Sequence, residues 1–489
     1  MRNAWPGASA CGRAARPAAL AASVALLSAC AAGPDFKPPP PPSVVRYTAM
    51  AQPVQTRSAP GAFGASQRLK SGGRADHAWW RRFGSAKLDA MIGRALVSNA
   101  TLTGARANLR RAAQTLAAQS GASRYPQVAA KAGAERQTIN PALMGFPGSA
   151  RTFNVYDVGA DVGYNFDLFG RQRRALESLA AQVDYQRYAF RGARLTLAAD
   201  IVTAAITEAQ LRAQLGATRR ILAAQSAQVT MTRRRIALGT SATLDLLSLQ
   251  SQADQTRASL APLRVRLAQT RHLLALLAGR APADGALPQF RLTDFTLPAD
   301  LPLRVPAVLT RRRPDVRAAE ALLHAATANY DVAVADLYPQ ITLSASLGSE
   351  ALTTAALFGP GSLIWNVAGQ LAQPLFNAGL RPAARAAESS VDAAAADYRE
   401  TVLQALRNVA DVLRALDQDA RGLRAQSAAD GAAAASWRLV AQQYRLGSAS
   451  YLQVLAAEQL AQQARIGLIG ARAQRLADTA AFFVAMGED

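Results

Sequence analysis

Most of the chain consists of long alanine-rich segments in which apolar residues recur at helical spacing. The longest runs without a proline from about residue 171 to 237, and it predicts one helix roughly 100 Å long at about 1.5 Å per residue. A second long helix is predicted from near Pro382 to about Arg445. Helices of this length need packing partners along their whole length. One shorter helix is predicted up to about Ser120, and another follows Gly239 up to Leu277, in which Pro262 should cause a kink or remove a hydrogen bond locally. Two more are predicted, from about residue 311 to the sequence LYPQI and up to about Met486.

Four shorter segments alternate between apolar and polar residues, the period-two pattern of β-strands. They read QVAAKAGAE at 127–135, NVYDVGADVGYNF at 154–166, ITLSASLG at 341–348 and LIWNVAGQL at 363–371. A membrane-spanning β-strand needs about 9–11 residues with such alternation. Amphipathic strands of a soluble sheet show the same pattern, so alternation alone leaves both interpretations open.

The same plan occurs twice along the chain. The sequence LGTSATLDLL at Leu238–Leu247 resembles LGSASYLQVL at Leu446–Leu455, and each stands between two predicted long helices. YPQV and YPQI, which begin at Tyr125 and Tyr338, repeat at a similar offset. A glycine followed by a hydroxylated residue suits the end of one helix and the start of the next. We therefore predict one duplication, with a helical hairpin in each half.

The N-terminus has the pattern of a bacterial lipoprotein signal. Arginines precede a short apolar stretch, PAALAASVALLSAC, which is too short to span a bilayer as a permanent helix. LSAC at Leu27–Cys30 resembles a lipobox, in which the signal is cut before the cysteine and the cysteine carries lipid. Alanine at position 31 indicates the outer membrane under the sorting rule that this resemblance invokes. The alternative is an ordinary secretory signal. The proline run that follows predicts a semi-rigid spacer.

Taken with an outer-membrane address, the four strands favour a membrane β-barrel. The smallest bacterial barrels have eight strands, and lipid tolerates no open sheet edge. Four strands cannot close such a barrel, whereas three copies of the chain supply twelve. We therefore predict an oligomer.

Composition excludes other functions more than it identifies one. The 489 residues carry a formal charge of +22, which suits a nucleic-acid binder, but no basic run is interleaved with aromatic residues and a signal peptide conflicts with that role. His77, His272 and His324 are far apart, and neither HExxH, CxxC nor a phosphate-binding glycine loop occurs. We expect no enzyme activity, no cofactor, no metal site and no nucleic-acid partner.

Several phrases together carry a family resemblance. In chain order they are CAAGPDFKPP after the lipobox, WWRRFGSAKLDAMIGRALVSNATL, FDLFGRQRR at Phe166–Arg174, RRPDVRAAE at Arg312–Glu320, YPQI, and PLFNAGLRPA at Pro374–Ala383. They cover nearly the whole mature chain. With this ordered set, the sequence resembles the outer-membrane efflux proteins, the TolC-like channels, and within them the lipoprotein branch named after NodT.

The resemblance implies a mainly α-helical protein with a membrane β-barrel, built from a duplicated repeat of helix, two strands and a long helical hairpin. It implies a homotrimer with a 12-stranded β-barrel in the outer membrane and a long α-helical barrel in the periplasm. It also implies two partners, a periplasmic membrane-fusion adaptor and an inner-membrane pump of the resistance-nodulation-division (RND) class. The expected function is passive conduction of drugs or other toxic small molecules across the outer membrane, in a protein anchored there by lipid.

The resemblance also assigns roles to the hairpin turns. It implies that Gly239, Thr240, Gly447 and Ser448 lie at the periplasmic tip, where the adaptor docks. Relatives place carboxylates just past each glycine around the closed aperture. The matching positions here are Asp245 and Gln453, and only the first is acidic. We therefore expect the aperture to close by packing and neutral hydrogen bonds more than by charge.

The predicted organisation is a signal peptide at 1–29, a lipidated N-terminus and proline-rich linker at 30–75, a first repeat at 76–279, an irregular equatorial segment at 280–310, and a second repeat at 311–489. Two other functions remain open. The duct of a type I protein secretion system would share this fold. A lipid-anchored periplasmic adaptor would also carry a helical hairpin, but typically one, flanked by lipoyl-like β-domains, whereas here the helices are duplicated.

Overall fold

The computed structural model describes residues 33–49, 53–72, 78–285 and 287–487. The predicted signal peptide, the lipidation site Cys30 and His77 lie outside these ranges. The described chain contains α-helices α1 (Ala86–Ser98), α2 (Ala100–Arg124), α3 (Arg171–Ala237), α4 (Thr243–Leu277), α5 (Pro306–Thr310), α6 (Pro314–Ala335), α7 (Leu380–Arg445) and α8 (Tyr451–Ala485). Its strands are β1 (Arg68–Ser71), β2 (Gln127–Ile139), β3 (Arg151–Phe166), β4 (Asp300–Leu303), β5 (Gln340–Ala351) and β6 (Leu363–Ala372).

The order of these elements repeats the predicted plan in both halves: helices, two strands, then two long helices. Local chemistry sets several boundaries. Ser85 caps α1 by accepting a hydrogen bond from the backbone N–H of Leu88. The Asn99 side chain likewise accepts one from Leu102 at the start of α2. Pro262 lies inside α4, which continues to Leu277 as predicted; the kink or lost hydrogen bond expected at this proline stays a prediction.

The strands β2, β3, β5 and β6 form one antiparallel sheet in that order. All four extend beyond the alternating segments that predicted them, β3 by three residues at its N-terminal end. The register aligns Val128 with Val162, Val162 with Ala345, and Ala345 with Val367. Because side chains alternate along each strand, this register places the apolar positions of all four strands on one face.

The apolar face is exposed to a degree that is unusual for a soluble sheet. Its exposed members include Val128, Leu343, Leu347, Leu363, Trp365, Val367 and Leu371. The opposite face carries mainly polar and charged residues and glycines, among them Lys131 and Asp161, whose charged groups lie 3.1 Å apart; Ile364 is an exposed apolar residue on this face. Within the described residues, β2 and β6 each have one edge without a strand partner. This sheet therefore presents both an apolar surface and two open edges.

Two glycines face each other at the centre of the sheet. Gly159 on β3 pairs with Gly348 on β5 on the polar face. A Cβ atom on Gly159 would lie 2.8 Å from the carbonyl oxygen of Leu347 and 3.0 Å from the Cα of Gly348. Side chains at this pair would force the two backbones apart.

We expect Gly159→Ala to lower the free energy of unfolding by about 1–3 kcal/mol, because an added methyl group overpacks this contact. Gly163→Ala is the matched control, since Gly163 lies on the same strand and face and a Cβ there has no atom within 4 Å. Denaturant titration of both purified variants measures the difference. Equal stabilities would show that the close approach at Gly159 is not constraining.

The predicted proline-rich linker and the predicted irregular segment together form a second, smaller sheet. β1, from the segment before residue 76, pairs in parallel with β4, from the predicted irregular segment 280–310. The strand sequences RLKS and DLPL contain too few residues to show alternation. Buried Arg475 on α8 holds the same N-terminal segment by donating hydrogen bonds to the Thr56 hydroxyl and to the carbonyl of Ala65.

The chain divides into two compact units, and each takes segments from both repeats. The first comprises the described parts of residues 1–38, with 110–185 and 319–397, and it contains the four-stranded sheet. The second comprises the described parts of 39–109, 186–318 and 398–489. Its core contains an aromatic cluster in which Trp79 stacks on Phe483 at 5.6 Å, with Phe83 and Phe482 packed at the edges. The phrase WWRRF is therefore a core element of the second unit.

Over the described ranges, no helix is both long enough and apolar enough to pass through a bilayer.

Candidate functional site at the hairpin tips

The turn between α3 and α4 stops the first helix with a Schellman motif. Gly239 has φ of +71°, a left-handed conformation that favours glycine. Its N–H donates to the carbonyl of Ile236, and the N–H of Thr240 donates to the carbonyl of Arg235. The Thr240 hydroxyl donates to the same Arg235 carbonyl at 3.1 Å. The hydroxylated residue after the glycine thus satisfies a carbonyl that the end of the helix leaves free.

The turn between α7 and α8 repeats this geometry. Gly447 has φ of +77°, and its N–H donates to the carbonyl of Tyr444. Both the N–H and the hydroxyl of Ser448 donate to the carbonyl of Gln443, at 2.9 and 3.1 Å. The repeated sequence phrase is therefore a repeated helix stop, which accounts for the shared glycine and hydroxyl positions.

The two predicted aperture residues lie in the first turn of the following helices. Asp245 is half-buried, and its carboxylate accepts a hydrogen bond from the Ser241 hydroxyl at 3.3 Å. Gln453 is exposed and forms a capping box with Ser450. Its side-chain oxygen accepts from the Ser450 N–H at 2.7 Å, and the Ser450 hydroxyl accepts from the Gln453 N–H at 3.3 Å. Gln453 thus helps to start α8.

The structure adds aromatic and basic residues that the sequence did not single out. The Arg235 guanidinium on α3 lies 3.3 Å from the hydroxyl oxygen of Tyr444 on α7, so the two hairpins meet near their tips. Tyr444 packs against Tyr451 at 5.2 Å between ring centroids. Burial raises the pKa of Tyr451 above its usual range, and the charges of Glu458 and Asp245 add to the effect.

A buried carboxyl lies about two helical turns above the start of α8. Glu458 is 4% exposed, and Gln462 donates a hydrogen bond to its Oε1 at 3.0 Å. Burial raises the pKa of Glu458, while hydrogen bonds from Gln228 and Gln462 partly offset that increase. Glu458 is thus a buried carboxyl whose hydrogen-bonding partners come from its own helix and from α3.

Two of the histidines considered in the sequence analysis lie on different elements. His272 lies on α4, and His324 lies on α6, where its Nε2 is 2.7 Å from a carboxylate oxygen of Glu177. In the part of the chain that the structure describes, no group of three or more His, Cys, Asp or Glu side chains is placed to hold a metal ion.

Comparison with known proteins identifies the class of protein to which this fold and these tips belong. The model of the outer membrane efflux protein family matches residues 91–280 and 305–488. The chain belongs to that family, and its predicted fold class is confirmed.

The solved structure of the outer-membrane channel OprN matches this fold with a TM-score of 0.85 and 27% identity, covering 94% of this chain and 99% of that one. The solvent efflux pump outer membrane protein SrpC of Pseudomonas putida is 34% identical over 343 residues, which cover 69% of this chain and 72% of SrpC. The pyoverdine export outer membrane protein OpmQ of Pseudomonas putida is 29% identical over 417 residues, covering 84% and 88%. The predicted function as an outer-membrane efflux channel is confirmed, and the family acts in transport.

Proposed function

We propose that the protein works as a lipid-anchored homotrimer, the outer-membrane duct of a tripartite efflux pump. A periplasmic membrane-fusion adaptor and an inner-membrane RND-type pump deliver toxic small molecules to it, and the duct conducts them passively. The signal peptide at 1–29 is removed, and Cys30 carries the acyl chains. The repeats at 76–279 and 311–489 each supply one hairpin to the periplasmic tip.

The observation that carries this proposal is the four-stranded sheet with its exposed apolar face and two open edges. In lipid, each unpaired backbone N–H or C=O group at a sheet edge costs several kcal/mol of free energy, because it has no hydrogen-bonding partner. Pairing β6 of one subunit with β2 of the next removes both edges. Three copies then close a 12-stranded barrel, and the apolar face covers its lipid-facing surface.

The relatives support an export role and leave the exported molecule open. SrpC is named for solvent efflux and OpmQ for pyoverdine export. Such different names within one family suggest that the duct does not select the cargo. We therefore assign small molecules as a class and assign selection to the pump.

A deletion strain tests the proposed function. Removing the gene is expected to raise intracellular accumulation of a fluorescent efflux dye such as ethidium, and the wild-type chain on a plasmid restores low accumulation. A channel serving a type I secretion system would instead leave dye accumulation unchanged and remove a protein from the culture supernatant. That second result would contradict the proposal.

We propose that Asp245 and Gln453 line the periplasmic aperture and that Gly239, Thr240, Gly447 and Ser448 contact the adaptor. The two tips share their stop geometry, and Arg235 reaches Tyr444 on the neighbouring hairpin. Gln453 contributes a neutral amide to the aperture. Hydrogen bonding and packing therefore keep the aperture closed more than charge does.

Asp245→Ala and Gln453→Ala trimers are each expected to conduct several-fold more in the closed state, because each loses a group that narrows the aperture. Single-channel recording in planar bilayers measures this change. Asp254→Ala is the control, since Asp254 is exposed further along α4. Unchanged closed-state conductance in both variants would remove the aperture assignment.

Gln453→Glu tests whether position 453 lies on the ion path. Glutamate also fits the third position of a capping box, so the start of α8 is kept while three negative charges enter the proposed ring. We expect the variant channel to become more selective for cations, as measured by reversal potential in a salt gradient. An unchanged reversal potential would place Gln453 away from the ion path.

A further inference from the structure

The first described residues of the chain dock onto the first compact unit. The Asp35 carboxylate lies 2.7 Å from Nη2 of Arg174, near the start of α3. The Phe36 ring stacks on His324 of α6, with centroids 4.3 Å apart and planes 11° from parallel. One electrostatic contact and one stacking contact thus hold two consecutive residues of the segment 33–36.

The receiving surface is a connected set of charged residues, which we call the anchor slot: Arg174, Glu177, His324 and Asp331. The Arg174 guanidinium lies 2.8 Å from Glu177 and 3.2 Å from Asp331. Glu177 in turn contacts His324 at 2.7 Å. Arg174 and Asp331 are 7% and 1% exposed, so the slot is built into the packing between α3 and α6.

Glycine at position 33 is required by the slot. Gly33 has φ of +93°, and a Cβ atom there would overlap the carboxylate of Asp331. That carboxylate is buried, and burial raises the pKa of Asp331 to about 6. Any larger residue at position 33 would displace the segment from the slot.

We propose that the anchor slot is the docking site for Gly33–Phe36 and that it fixes where the lipid anchor of this chain enters the membrane. The proposal rests on the acylation of Cys30 put forward above. Cys30 precedes Gly33 by three residues, which span at most about 10 Å when fully extended. The acylated residue is therefore held within that distance of the slot, although the long proline-rich segment that follows could otherwise place it far away.

The position of the slot in the first unit agrees with a membrane boundary. Arg174 follows closely after the end of β3 at Phe166, and Asp331 precedes the start of β5 at Gln340. The strand ends and the acyl chain then mark the same periplasmic surface of the outer membrane. The slot thus couples the lipid anchor to the end of the sheet that enters the bilayer.

Limited proteolysis of the full-length protein, purified from outer membranes in mild detergent, tests the docking. Chymotrypsin cleaves after Phe36, whose ring is covered by His324 when the segment is docked. Mass spectrometry reports the new N-terminus at Lys37 and also reports whether Cys30 is acylated. Trypsin serves as a specificity control, because the Lys37–Pro38 bond resists it.

Asp35→Ala should accelerate cleavage about two- to fivefold, as expected for an ion pair with one exposed partner. Gly33→Ala should accelerate it about five- to thirtyfold, since the docked state acquires the left-handed backbone penalty and the overlap with Asp331. Gly72→Ala is the matched control, because Gly72 has φ of +77° with no atom near its Cβ position. His324→Ala should act like Gly33→Ala, and His272→Ala should have no effect.

The outcomes distinguish the docking of the segment in the slot from the lipidation of Cys30. Faster cleavage in Gly33→Ala, Asp35→Ala and His324→Ala, with acylated Cys30 in each, is the expected result. Equal cleavage of the wild-type protein and Gly33→Ala would overturn the docking and leave the proposed efflux function intact. Slot-dependent protection with unmodified Cys30 would overturn the anchor role, and it would also remove lipidation from the proposed function.

Discussion

Replacing Val367 with arginine is expected to abolish assembly in the outer membrane. Val367 lies near the middle of β6 on the apolar face, where it is 62% exposed and aligned with Ala345 of β5. An arginine on the lipid face near the bilayer midplane costs about 2–4 kcal/mol, or about 6–12 kcal/mol over three subunits. A penalty of this size is comparable to the entire stability of a typical domain, about 5–15 kcal/mol.

Asn366→Arg is the matched control for this variant. Asn366 is the neighbouring residue on the same strand, is also exposed, and lies on the polar face. Its arginine would project into a water-filled lumen and is expected to leave assembly unchanged. Heat-sensitive oligomer bands from outer-membrane fractions report the result. Loss of the oligomer in both variants, or in neither, would contradict the assignment of the two faces.

Replacing Trp79 with alanine is expected to lower the free energy of unfolding by about 3–5 kcal/mol, the usual cost of removing a large buried aromatic side chain. Trp79 is fully buried, and its ring stacks on Phe483 near the C-terminal end of α8. The cavity would separate the segment before α1 from the end of the last helix. Denaturant-induced unfolding, followed by far-UV circular dichroism, measures the loss of stability without relying on the fluorescence of the replaced tryptophan.

Two further variants serve as controls for the stability measurement. Trp79→Phe keeps an aromatic ring in the cluster and should recover part of the lost stability. Phe358→Ala removes an aromatic residue that is 83% exposed between β5 and β6, and we expect a change within about 0.5 kcal/mol. If Trp79→Ala and Phe358→Ala cost the same, the aromatic cluster does not form the core described above.

The long helices and the faces of the four strands could be predicted because each depends on a local pattern. Helix α3 ends at Ala237 because Gly239 supplies the left-handed residue of its Schellman motif, a signal visible in the sequence. The apolar face of β3 follows from period two alone, whatever its partners are. Register and strand order came only from the structure, since they depend on pairing between distant residues.

The smaller sheet and the contacts at the tips could not be found in this way. β1 and β4 have four residues each and no alternation, so only their pairing defines them. The contact between Arg235 and Tyr444 joins residues on two different hairpins, and no local pattern relates them. The capping box of Ser450 and Gln453 follows from the local pattern S-x-x-Q, whereas the family resemblance assigns Gln453 only to the aperture.

The four-stranded sheet of one subunit is incomplete, and counting the subunits of the native assembly tests directly whether other copies complete it. Native mass spectrometry of the protein released from outer membranes in detergent measures the mass of the intact assembly. We predict three copies of the chain, each carrying an acylated N-terminus. The mass of a single chain, in protein that keeps its strands, would contradict the closed twelve-stranded wall.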